Sequence, residues 1–136
     1  MQIGVETSKA VDNKRIFVID EDEIIRAALQ FMLHDENETH EAPSLEWAYE
    51  KAVDWPPDLV IISEALLRRH GGTAIYGEIR EKLRGPKIML VLEPGGVELA
   101  KQCLAEGADS VAIKPVRIEL IRRKADLLLG RLHESA

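Results

Sequence analysis

The chain has 136 residues, 46% of them hydrophobic and 31% charged, with a formal net charge of −6; that is enough for one domain with a proper core and too apolar for a disordered chain. No apolar run approaches the roughly 20 residues needed to cross a bilayer, and the opening "MQIGVETSKAVDNK" lacks the apolar stretch of a secretion signal. A single cysteine, Cys103, excludes an internal disulfide and fits a reducing cytoplasm, while the lack of a basic stripe argues against nucleic acid and for a protein partner.

Residues 1–13 are polar and aperiodic and read as a leader, with 133–136 as a short tail. "RIFVI" (residues 15–19) predicts a short buried strand running into the acidic cluster "DEDE". Ile25, Ala28, Leu29 and Met32 follow at helical spacing, with Asp22 or a neighbour as the cap. "ETHEAPS" reads as a weak strand and a turn, and Ser44 as the N-cap of a helix to about Val53. "DLVII" predicts a third strand stopping at Ser63. "EALLRRHGG" reads as a loop, broken by Gly71-Gly72, before a helix over "TAIYGEIREKL".

"KIMLVL" (residues 87–92) is apolar throughout, as a strand covered on both faces should be. "EPGG" is a turn, "VELAKQCLAEGA" a helix that stops at Gly107, and "SVAI" a fifth strand ending at Lys114-Pro115. A last helix is expected from about Arg117 to Leu132. Five strands alternating with five helices predict an α/β fold, a doubly wound parallel sheet with helices on both faces. In such sheets the site lies at the carboxyl ends of the strands. Asp20, Glu21, Ser63, Leu92, Glu93 and Lys114 should therefore converge.

With "FVIDEDEIIRAAL", "PDLVIIS", "HGGTAIYGEIRE" and "AEGADSVAIKPV" in this order, residues 14–132 resemble the receiver domain of response regulators, the CheY-like family of two-component signalling. The resemblance implies a flavodoxin-like strand order 2-1-3-4-5 and five active positions. Two carboxylates, here Asp20 and Glu21, would help hold Mg²⁺. An aspartate after the third strand would accept a phosphoryl group from a histidine kinase, and that position is Ser63. A Ser or Thr would contact the phosphoryl oxygens, and that position is Leu92. The lysine is present as Lys114, followed by Pro115, and the aromatic switch position is Val111.

Those departures have a chemical meaning. A serine hydroxyl is neutral at pH 7 and a poor nucleophile without a base to take its proton. It is also a weaker ligand than a carboxylate for a hard cation. Leu92 has no hydrogen bond for a phosphoryl oxygen and would desolvate the anion. The expectation is a pseudo-receiver with no enzymatic turnover that signals by protein interaction or dimerisation, independently of phosphorylation. Without the acceptor carboxylate, Lys114 is expected to join Asp20 and Glu21 in a permanent network that includes Ser63. The alternative is conventional switching, by phosphorylation on Ser63 or Glu64 or by another ligand in the acidic pocket.

The remaining candidates are weighed by their surroundings. Ser63 with His70 as base lacks a nucleophile elbow. Asp20 and Glu21 could keep a weak Mg²⁺ or Ca²⁺ site, although acids at a helix start are favoured without any metal. Gly95-Gly96 lacks the rest of a phosphate-binding motif, and no Gly- or hydroxyl-rich loop follows the first strand to hold a flavin. His34, His40, His70 and His133 lack zinc spacing, and Cys103, Trp47 and Trp55 read as packing residues. In the last helix Ile118, Ile121, Ala125, Leu128 and Leu132 should face the sheet, while Val116, Leu120 and Leu127 fall on the opposite side. The resemblance implies that the fourth helix, fifth strand and fifth helix form a dimer or effector surface, which makes Val116, Leu120 and Leu127 the interface candidates.

Overall fold

Alternation of side chains across a pleated strand decides how this sheet is covered. A computed structural model describes residues 13–72 and 74–131. Its strands are β1 (Lys14–Ile19), β2 (Asn37–Ala42), β3 (Leu59–Ser63), β4 (Lys87–Leu92) and β5 (Ser110–Ile113). All neighbouring pairs are parallel, in the order β2-β1-β3-β4-β5. The helices are α1 (Glu23–Leu33), α2 (Leu45–Ala52), α3 (Glu64–Arg69), α4 (Ala74–Lys82), α5 (Val97–Glu106) and α6 (Ile118–Leu128). None of them is long and apolar enough to cross a membrane.

Ile16, Val18, Leu59, Ile61, Met89 and Val91 turn to one face, where Leu29 and Leu33 of α1 and Ile121 and Ala125 of α6 cover them. Phe17, Ile19, Val60, Ile62, Leu90 and Leu92 turn to the other, under α2, α3, α4 and α5. Each fully buried aliphatic chain contributes about 1.5–3 kcal/mol, so the uninterrupted apolar strands dominate the stability of the fold.

Helix starts follow the caps. The Asp22 carboxylate accepts the N–H groups of Ile24 and Ile25 at 3.0 and 3.2 Å. The Ser44 hydroxyl accepts that of Trp47 at 3.1 Å. Helix α5 ends at Gly107, whose φ of +143° suits glycine; a Cβ there would lie 3.0 Å from the Tyr76 ring. Trp47 packs edge-on against Phe17, and Trp55 stacks on His40. Cys103 is buried in the core.

Three expectations need correction. The segment "EALLRR" is a helix, not a loop, so there are six helices among the described residues instead of five. It forms because Ser63 caps it and Leu66 and Leu67 bury their side chains; the Gly71-Gly72 pair ends it with φ of +79° and +87°. Val116 does not share an outward face with Leu120. It precedes α6, where the chain is still extended at Arg117, and packs against the Ile121 side of the core. Leu127 is half-buried, and Leu120 alone of the three is exposed. The leader through residue 12, Thr73, Leu132, His133 and the tail lie outside the described residues.

At the sheet's rim, β2 has the polar sequence "NETHEA". Its charged groups are tied to the neighbouring elements and to one another. Glu38 takes Arg15 at 2.6 Å and His40 at 2.7 Å, and Glu41 takes Arg26 at 3.1 Å.

Candidate functional site

Register brings the site together. Ile19 pairs with Ile62, Ser63 with Val91 and Leu92 with Ile113, so Asp20, Ser63, Glu93 and Lys114 emerge at the same carboxyl end of the sheet. The acidic positions at the end of β1 are differently placed. Asp20 is buried, 7% exposed, and its Oδ1 accepts the Asp22 N–H at 2.9 Å. Burial pushes its carboxyl above the ordinary value, against the Asp22 amide and the nearby positive charges of Lys114 and Arg26. Glu21 is exposed and forms an ion pair with Arg69 of α3, which holds its carboxyl below the usual range.

Ser63 closes β3 and opens α3. Its Oγ accepts the Leu66 N–H at 3.1 Å, an N-cap bond. No hydrogen bond joins Ser63 to His70 among the described residues, so no base is placed to activate the hydroxyl. The next residue, Glu64, is 8% exposed. Its Oε1 accepts the Glu93 backbone N–H at 3.0 Å, and its Oε2 takes the Arg68 guanidinium at 2.6 and 2.8 Å. The Glu93 amide, first among the causes, holds the Glu64 carboxyl below the ordinary value. Both oxygens already hold partners, so Glu64 is tied into the fold instead of being turned outward as a displaced phosphoacceptor.

Lys114 corrects the expected network. Its Nζ donates to Glu93 Oε2 at 2.8 Å, and Asp20 and Glu21 lie beyond ion-pair contact with it. The reason is register: Lys114 N–H donates to Leu92 O at 2.9 Å, which sets Lys114 beside the residue after Leu92. Ser63 is likewise outside the Lys114 ion pair; its oxygen accepts the Leu66 N–H. The Lys114-Pro115 peptide is cis, and Pro115 is exposed.

Leu92 is fully buried among the side chains under α2–α5, and Val111 is nearly so. Neither presents a polar group to the pocket. A hard divalent cation needs several oxygen ligands, and the donors present do not fit one. Ser63 supplies no anion and Glu21 is paired with Arg69, which among these positions leaves Asp20, with one oxygen on the Asp22 amide, as the sole uncommitted anionic donor. Among the described residues no three His, Cys, Asp or Glu side chains converge as metal ligands.

Glu93 stood among the converging positions from the strand ends alone. Arg68 and Arg69 reach the site only because residues 64–69 are helical and not a loop. Their signal was present in the sequence: an acid at Glu64 and bases at Arg68 and Arg69 are the polarity that a helix dipole favours.

Comparison with known proteins follows the same lines. A family model described as the response regulator receiver domain matches residues 16–126. The chain is 32% identical over 114 residues to a protein-glutamate methylesterase/protein-glutamine glutaminase of Methanospirillum hungatei, covering 79% of this chain and 33% of the relative. It thus spans about a third of the length of that curated relative. Among solved structures, a response regulator from Thermotoga maritima superposes with a TM-score of 0.75 at 18% identity, covering 87% of this chain and 98% of that one. The receiver domain of NtrX from Brucella abortus gives 0.73 at 25% identity, covering 86% and 99%.

Proposed function

The chain belongs to the response regulator receiver domain family, and from that premise we propose that it is an atypical receiver, a protein-interaction or dimerisation module that works without phosphorylation and without enzymatic turnover. The observation that carries this reading is the state of the acceptor position. Ser63 is a hydroxyl that caps α3, and Glu21 and Glu64 beside it are already paired. Phosphoryl transfer depends on a positioned nucleophile and a metal bridging the transferred group; a capping hydroxyl is not such a nucleophile, and the pairing of Glu21 with Arg69 takes one acid from the metal's side.

The surface supports the other half of the proposal. Val97 and Leu104 on α5 and Leu120 on α6 are 54%, 49% and 43% exposed. They flank β5 on the elements where the family resemblance locates partner contacts. Leu120 remains an interface candidate, and Leu127, half-buried, borders it; Val116, turned inward, supports the helix from below. The single buried thiol of Cys103 suits the reducing cytoplasm in which the module would act.

Two measurements test this. Intact mass after incubation with a small phosphodonor and Mg²⁺, or with a sensor kinase, is expected to stay unchanged; a stable gain of one phosphoryl mass would refute it. Replacing Leu104 and Leu120 together by Glu is expected to weaken self-association or partner capture by about tenfold or more in sedimentation, since removing a well-packed interface residue loses more than about 1.4 kcal/mol. Identical sedimentation and identical partner binding would refute the surface assignment.

A further inference from the structure

We propose that Glu64 is an internal ligand: its carboxylate fills an anion site made by the Glu93 amide and the Arg68 guanidinium beside Lys114, and so shuts out external oxyanions such as inorganic phosphate or sulfate. Glutamate is almost never fully buried unless paired. This one sits at the carboxyl ends of β3 and β4, the location at which open α/β sheets take their ligands. Each of its oxygens uses a different donor. Oε1 takes the N–H of Glu93, 29 positions away in sequence, at 3.0 Å, and Oε2 takes Arg68 at 2.6 Å. A backbone N–H and a guanidinium are the donor pair that suits a carboxylate or a tetrahedral oxyanion equally well.

Lys114 adds to the same locus. Its ammonium is held by the Glu93 side chain at 2.8 Å, and its charge reaches Glu64. Removing the Glu64 carboxylate would leave the Glu93 amide and the Arg68 guanidinium without their anion, while Lys114 stays paired with the Glu93 side chain. The vacated space would then accept an external oxyanion without covalent chemistry. The side chain also ties the start of α3 to the end of β4. The internal ligand therefore holds these two elements in one relative position, the role that an external anion would otherwise play.

The test is titration of the full chain with sodium sulfate and with inorganic phosphate, at constant ionic strength against chloride, read by calorimetry and by the Glu93 amide resonance. Glu64→Ala should bind sulfate at least about tenfold more tightly than the unsubstituted chain, the scale of one charge-assisted hydrogen bond, and should shift the Glu93 amide. Glu64→Gln should behave like the unsubstituted chain, because its amide oxygen still takes the Glu93 N–H, and adding Arg68→Ala to Glu64→Ala should abolish the gain. Should Glu64→Ala be poorly folded, sulfate should raise its melting temperature selectively over chloride. A folded Glu64→Ala that binds no more tightly, a destabilised one that sulfate does not rescue, or an unsubstituted chain that binds equally well would each overturn the proposal. None of these readouts involves covalent phosphate, so their failure is distinguishable from failure of the phosphorylation-independent reading.

Discussion

The pocket at the strand ends and the flank formed by α5 and α6 are opposites. In the pocket, charged groups find their partners inside the chain: Glu21 with Arg69, Glu64 with Arg68 and the Glu93 amide, and Lys114 with Glu93. On the flank, Val97, Leu104 and Leu120 keep much of their apolar surface in water. A charge satisfied internally has little left to offer a ligand, whereas exposed apolar surface gains by being covered. On the proposed reading, the capacity for interaction lies at the side of the sheet and not at its mouth.

Substitutions in the pocket sharpen that contrast, and the largest effect is expected at its wall. Leu92 is fully buried, so Leu92→Thr, which restores the family's hydroxyl, should lose about 2–4 kcal/mol by cavity formation and burial of a polar group. Urea denaturation measures it. A loss below about 0.5 kcal/mol would mean that the wall is pliable and that the pocket could regain a phosphoryl contact cheaply.

Ser63→Ala removes the α3 cap and should lose about 1 kcal/mol, while Ser63→Asp, also a good cap, should keep most of it. Equal stability of all three proteins would show that the hydroxyl is not held by Leu66.

The smallest effect is read in pH. The Glu64 carboxyl lies below its ordinary value of 4.5 in the fold, so its contribution is complete above that value and disappears as pH falls through the lowered one. Glu64→Gln should therefore be less stable by about 1 kcal/mol at pH 7, with the difference vanishing under acid conditions. Asp20 has the opposite sign, since its raised value favours the fold as protons bind. It is common to both proteins and cancels. A pH-independent difference would point to shape, not charge, at Glu64.

Most of the frame was legible in the chain. Apolar runs of strand length, the caps at Asp22 and Ser44 and the stop at Gly107 are local signals, whereas the sheet order came from the receiver resemblance, within the few arrangements that right-handed crossovers allow. The site was legible as positions but not as partnerships. Lys114 was assigned to Asp20 and Glu21 because opposite charges at the strand ends invite pairing. The one-residue step of Leu92 against Lys114 N–H, which hands the ammonium to Glu93, exists only once β4 and β5 are in register. Glu64 was legible as an acid beside the acceptor position. Its tie to an amide 29 residues on was not, because a backbone donor carries no sequence signature. The last helix was read with one periodicity too many: Val116 precedes it, so angles counted from Ile118 do not apply to it.

The rim strand β2 has a consequence of its own. A strand with one unpaired edge at a sheet's margin is a growth template for cross-β stacking, but "NETHEA" puts tethered charge on both of its faces, and every added copy in register would bring Glu38 and Glu41 against their own kind. Concentrated solutions of this protein should therefore resist fibril formation, and copies that do meet should meet helix to helix.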